Sequence, residues 1–185
     1  MDISNKLIEF FIKKPEKEFY VRELARILKK SPTTISKYLK EFDRKGILRL
    51  EKKFNHLLFK ANNENEEFKQ IKLKYNLDKL RESGIVNFLI KEFNNPKVIV
   101  LFGSFAKGEN IEKSDIDLLV VTTIKKEINL DKFEKILEHK IQLFLFSSKE
   151  LENMKEKNKE LLNSFINGIT LYGFMEIFKW GLLIF

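Results

Sequence analysis

The stretch "GSFAKGENIEKSDIDLLV", residues 103–120, decides how the C-terminal half of the chain is read. An apolar run, Val98 to Phe102, leads into it and predicts a buried strand. Gly103 and Ser104 predict a tight turn into a short helix over Phe105 to Lys107, and Asp115 to Val121 predicts the next strand. Alternation along that strand sends Asp115 and Asp117 to one face and Ile116 and Leu118 to the other. Two carboxylates on one face repel each other, a cost that a divalent cation between them would offset. Mg²⁺ held by one or two carboxylates and substrate phosphates is a common arrangement at phosphoryl-transfer sites. Gly103 lets a phosphate approach the backbone, and the amides at the start of the short helix, with the Ser104 hydroxyl, can donate to it.

Upstream, residues 61–95 predict a connector made largely of helix, polar at first, then apolar at Leu77, Leu80, Ile85, Phe88 and Leu89, and closed by Asn94, Asn95 and Pro96. Further upstream the charge changes. Residues 1–60 carry 16 Lys/Arg against 8 Asp/Glu, whereas the two kinds balance in residues 61–95 and again in 96–185, so the whole net charge of +8 sits at the N-terminal end. Such an asymmetry suggests a separate part that meets a polyanion, with a solvated lysine-rich surface as the plain alternative.

The pattern within that basic part is helical and then extended. Leu7, Phe10 and Phe11 mark a first helix that Pro15 ends, and Val21, Leu24, Ala25 and Leu28 mark a second. In "KKSPTTISKYLKEFDRKG" (29–46), Ser31 suits an N-cap and Pro32 the first helical position; Ile35, Leu39 and Phe42 form the buried stripe, and Gly46 ends the helix. Thr33, Ser36, Lys37 and Lys40 project from the opposite face. A hairpin follows, ILRLEK and HLLFK, joined through Lys53, Phe54 and Asn55.

Three helices and a two-stranded wing resemble the winged helix-turn-helix family over residues 5–60. The resemblance implies that Thr33, Ser36, Lys37 and Lys40 lie near the bases or phosphates of duplex DNA, with Arg49, Lys52 and Lys53 as backbone contacts. Winged helices also serve as protein-interaction modules; the basic excess favours DNA.

Residues 98 to about 173 resemble the DNA polymerase β-like nucleotidyltransferase superfamily, nearest its minimal prokaryotic members. Gly103 and Ser104 are followed, after ten residues, by the acidic-apolar-acidic triplet Asp115, Ile116, Asp117. "NGITLYG" (167–173) looks like the strand that closes such domains. The resemblance implies that Gly103, Ser104 and Lys107 bind a nucleoside triphosphate and that Asp115 and Asp117 are catalytic residues that hold Mg²⁺ for transfer of a nucleotidyl group. Lys107, where the family often has arginine, suits a phosphate contact or a solvent-facing role equally. Active members usually add a third carboxylate from a later strand. Here that strand is "KIQLFLF" (140–146), and the corresponding position carries Gln142, with Glu138 just upstream in a different register. An amide is a weak Mg²⁺ ligand and accepts no proton, so transfer is expected to be slow or lost while nucleotide binding survives.

The expected architecture is therefore α+β: a winged helix over 1–60, a helical connector over 61–96 and a small nucleotidyltransferase fold with a mixed sheet and flanking helices over 97–185. Two functions follow from it. One is a DNA-tethered, Mg²⁺-dependent nucleotidyltransferase acting on a protein or nucleic acid; the other is a regulator, antitoxin-like, that uses the fold to bind nucleotide or a partner. Minimal members are often paired with HEPN toxins, so the resemblance admits a HEPN-type partner.

The absence of cysteine excludes disulfide, zinc-thiolate and thiol-nucleophile chemistry and suits a cytoplasmic protein. The N-terminus carries neither the basic region nor the cleavage site of a signal peptide. The apolar tail "GFMEIFKWGLLIF" (173–185) includes Glu176 and Lys179 and is too short for a membrane helix, so it is expected to pack on the protein or form a homodimer contact. His56 and His139 lack nearby ligand partners in the sequence and are expected on the wing and the surface.

Overall fold

The computed structural model describes residues 3–53 and 56–175. Leu7, Ile8, Phe11 and Ile12 recur on one side of α1 (Ile3–Lys13) and turn that side to a core; Pro15 follows its end. β1 (Phe19–Tyr20) leads directly into α2 (Val21–Leu28), which buries Leu24 and Ala25. α3 (Pro32–Arg44) starts on a capped turn in which Ser31 Oγ accepts the Thr34 amide at 3.1 Å. At its other end Gly46 takes φ +74, and the Ile47 amide returns to the Phe42 carbonyl at 2.9 Å.

β2 (Leu48–Lys53) and β3 (His56–Ala61) then pair antiparallel, with Leu48 opposite Ala61. The two residues at the hairpin tip lie outside the described residues. β1 pairs with the other edge of β3, giving the order β1-β3-β2. Phe19 is the reason for this two-residue strand: its ring packs edge-on against Phe11 at 5.0 Å and it pairs with Phe59. Leu7, Phe11, Leu24, Ile35, Leu39 and Phe59 are completely buried in this core.

α4 (Glu66–Ser83) and α5 (Ile85–Glu92) follow, separated by Gly84 at φ +76. β4 (Val98–Phe102) is buried along its whole length, and α6 (Gly103–Lys107) starts at the next residue. β5 (Ile116–Val121), α7 (Asp131–Leu137), β6 (Ile141–Phe146), α8 (Ser148–Lys157), α9 (Lys159–Ile166) and β7 (Ile169–Gly173) complete the described elements. The sheet order is β6-β5-β4-β7. β4 runs antiparallel to both β5 and β7, while β5 and β6 are parallel, so the sheet is mixed.

Side-chain alternation gives each sheet face its own core. Ile99, Leu101, Ile116, Leu118 and Val120 meet Ile85, Leu89 and Phe133 from α5 and α7. Val98, Val100, Phe102, Leu119 and Val121 meet Leu151, Met154, Leu162 and Phe165 from α8 and α9. α8 is fixed at its start by reciprocal bonds between Ser147 and Glu150. The Ser147 amide and Lys125 hold the Glu150 carboxyl down at about 2.

Contacts group the chain into two units, residues up to Tyr75 with Gly108–Lys113, and Asn76–Lys107 with the described residues from Ser114 onward. Among the described residues no helix is long and apolar enough to cross a membrane. The tail from residue 176 lies outside the described residues.

Candidate functional site

Strand register brings the residues of the opening stretch together. Phe102 pairs with Asp117, so the turn that follows β4 lies beside the start of β5. Gly103 sits at φ +72, and a Cβ there would collide with the Asp117 carboxylate. Glycine is favoured by the backbone angle, and its lack of a Cβ leaves the Asp117 carboxylate where it stands. Ser104 is the next residue of α6 and half-buried, and Lys107 is exposed in its last turn.

Asp117 lies on the same side of β5 as Leu119 and Val121, with Ile116 and Leu118 opposite. Its carboxyl is raised above the ordinary carboxylate range, first by desolvation and then by the charge of Asp115. Parallel pairing sets Gln142 of β6 directly beside Asp117, and Gln142 Nε2 donates to Asp115 Oδ2 at 2.9 Å. Asp115, Asp117 and Gln142 therefore form one polar group at the end of the sheet. Among the described residues no three His, Cys, Asp or Glu side chains cluster to hold a metal. Two carboxylates of this kind, one with its charged form disfavoured, are a donor set suited to a hard divalent cation that brings further oxygen ligands with a substrate.

In the other unit, Thr33, Ser36, Lys37 and Lys40 line one concavity of about 1140 Å³. The same wall includes Arg22 and Arg26 of α2, and Tyr20 and His56, whose rings meet edge-on at 5.8 Å. Arg49, Lys52 and Lys53 lie on β2, across β3 from β1, and do not line it. Lys53 is engaged by Glu18 at 2.6 Å and Glu51 at 3.1 Å, which raise its pKa, with the Glu18 bond the larger cause.

Residues 82–167, which contain Gly103, Asp115, Asp117 and Gln142, match the family described as Nucleotidyltransferase domain. These residues are a nucleotidyltransferase domain. A curated relative from Methanocaldococcus jannaschii, which carries the provisional name protein adenylyltransferase, is 40% identical over 57 residues, covering 26% of this chain and 57% of its own length. The chain thus spans little more than half of that relative. No solved structure gave a significant match.

Within the nucleotidyltransferase domain, Glu138 caps the end of α7 at φ +60, before β6 begins, while Gln142 occupies the strand position beside the aspartates. His139, expected on the surface, is half-buried: its Nδ1 donates to the Ser114 carbonyl at 2.8 Å and its ring meets Phe105 at 4.9 Å. It links the approach to β6 with the residue before Asp115, through contacts made only after the chain folds. Arg22 and Arg26 also escape the sequence reading, although their spacing of four on α2 is the signal that would have found them.

Proposed function

We propose that the chain is a Mg²⁺-dependent nucleotidyltransferase with a DNA-binding winged helix at its N-terminus. The observation that carries the enzymatic reading is the meeting of the Gly103 backbone with Asp117, and of Asp117 with Asp115, inside the matched domain. Asp115 and Asp117 would hold Mg²⁺, which supplies charge stabilisation for the phosphoryl oxygens. Gly103 and Ser104, with Lys107 nearby, bind the triphosphate. A hydroxyl of the acceptor forms a bond to the α-phosphorus and gives up its proton to solvent, the bond from the α-phosphorus to the oxygen bridging to the β-phosphorus breaks, and pyrophosphate leaves.

The relative's name supports a protein acceptor and a nucleoside monophosphate as the transferred group. Incubation with α-labelled nucleoside triphosphates, Mg²⁺ and cell extract tests this: label should enter protein and be lost with Asp117→Asn. Label that survives that substitution would remove the assignment. A second reading, a regulator in which transfer is weak, is favoured by one observation, the Gln142 amide beside the two aspartates. Nucleotide binding without labelling of any acceptor is the outcome that selects it.

The order of helices and strands in the first unit supports the winged-helix reading, with α3 presenting Thr33, Ser36, Lys37 and Lys40 to DNA and Arg22 and Arg26 adding to the same basic wall. Gel retardation of the full chain on duplex DNA tests it. Absence of retardation at low salt would redirect the surface to a protein partner.

A further inference from the structure

Asp115 stands one residue before β5 begins, so the strand ladder alone does not hold it. Its neighbours on both sides are nevertheless tied to the approach to β6. After it, the Ile116 amide donates to the Lys140 carbonyl at 2.8 Å; before it, the Ser114 carbonyl accepts from His139 Nδ1, also at 2.8 Å. A carbonyl only accepts, so Nδ1 carries the ring proton. The Ile141 amide in turn donates to Glu134 Oε1 at 2.9 Å, which fixes this approach to α7.

The same ring serves a second part of the site. It meets the buried Phe105 ring edge-on, with centroids 4.9 Å apart and planes at 82°. Phe105 belongs to α6 and directly follows Gly103 and Ser104. A half-buried imidazole therefore touches, from one position, the residue that precedes Asp115 and the short helix that carries Gly103 and Ser104. Phenylalanine would supply only the ring contact, and asparagine only a donor to the Ser114 carbonyl. Histidine supplies both. Phe105, Ser114, Glu134 and His139 all belong to one compact unit, the same one that holds Gly103, Asp115 and Asp117.

We infer that His139 is a positioning residue for nucleotidyl transfer, setting Asp115 and the Gly103–Ser104 turn in place relative to each other before metal and nucleotide arrive. The inference rests on the reading of Gly103 to Asp117 as the nucleotide site. A divalent cation shared between a carboxylate and a substrate phosphate is held only where the two meet at ligand distance. Asp115, outside the ladder, would otherwise have to be ordered on binding, at a cost taken from affinity. The Nδ1 bond removes that cost on the carboxylate side, and the ring contact removes it on the phosphate side.

The test measures the affinity of the full chain for each ribonucleoside triphosphate with and without Mg²⁺. His139→Phe keeps a ring against Phe105 and loses the donor, so the gain in affinity that Mg²⁺ confers should fall roughly tenfold while metal-free binding stays as it was. His139→Asn keeps a donor and loses the ring, so it should recover most of the Mg²⁺ gain and bind more weakly without metal. An undiminished Mg²⁺ gain in His139→Phe, no recovery of it in His139→Asn, or wild-type metal-free affinity in His139→Asn overturns the inference. If the variants do not fold, imidazole ¹⁵N spectra of the wild type decide: the neutral His139 ring should carry its proton on Nδ1 without nucleotide, and a proton on Nε2 overturns it. A wild type that binds no triphosphate, or binds it equally well with and without Mg²⁺, overturns the nucleotide-site reading itself, which failure of the variants alone does not.

Discussion

Asp117 carries a charge that the ligand-free protein accommodates poorly. Its folded carboxyl is raised by desolvation and by Asp115, so the protonated form is favoured in the native state relative to the unfolded one. This contribution to stability is therefore intact in acid and is lost as pH rises from the unfolded pKa through the raised folded one. Asp117→Asn should therefore raise the melting temperature of the ligand-free protein at neutral pH. The gain is less than about 1 kcal/mol because the group is only partly buried, and it should vanish in acid. The same substitution should shrink the rise in melting temperature produced by Mg²⁺ with nucleoside triphosphate, and calorimetric scans at two pH values check both effects. Gln142 gives a complementary expectation. Gln142→Asp replaces the donor to Asp115 with a third carboxylate, so the ligand-free protein should melt lower while any transfer rises by roughly 10²-fold, as general-base assistance typically contributes. Single-turnover assays with and without the substitution measure the second effect, and an unchanged rate would count against general-base assistance from this position. The shared face of Asp115 and Asp117 was legible in the sequence because strand alternation has a fixed period of two, whereas Gln142 was reached through the resemblance to nucleotidyltransferases, since alternation within one strand does not say which strand lies beside it. His139 was not legible, since its contacts to Ser114 and Phe105 depend on where the chain folds back.

Among the elements, α3 shows how local chemistry fixes a boundary. Ser31 caps its first turn, Pro32 supplies the first helical residue, and Ile35, Leu39 and Phe42 are buried on one side. Ser31→Ala should cost about 1 kcal/mol, read as a lowered denaturation midpoint with an unchanged slope, because the Thr34 amide loses its acceptor. Caps, stripes and a closing glycine made α3 readable in advance. β1 was hidden for the opposite reason: two residues have no periodicity, and the strand exists because Phe19 meets Phe59 and Phe11. α4 was readable as a helix, but the burial of its Lys72 and Asn76 was not, because a periodicity argument assigns buried positions to apolar residues.

For the whole molecule, the net charge of +8 makes ionic strength the natural variable. Affinity for duplex DNA should fall linearly on a log-log plot against salt, with a slope of about −0.9 for each phosphate neutralised, and Lys37→Ala or Lys40→Ala should each flatten it by about one contact. Gel retardation at a series of salt concentrations gives the slopes; a flat dependence would contradict a phosphate-facing role for α3. The sheet order has a separate consequence for biosynthesis. In the first unit every strand pair closes within a few dozen residues, Phe19 with Phe59 and Leu48 with Ala61. In the second, β4 at Val98–Phe102 waits for β7 at Ile169–Gly173 to cover one of its edges. A ribosome releasing this chain thus delivers a complete N-terminal sheet while the nucleotidyltransferase sheet still has an open central strand. For that interval the growing polypeptide has one folded part and one adhesive edge, which makes the second unit the place where a trailing ribosome or a chaperone would matter.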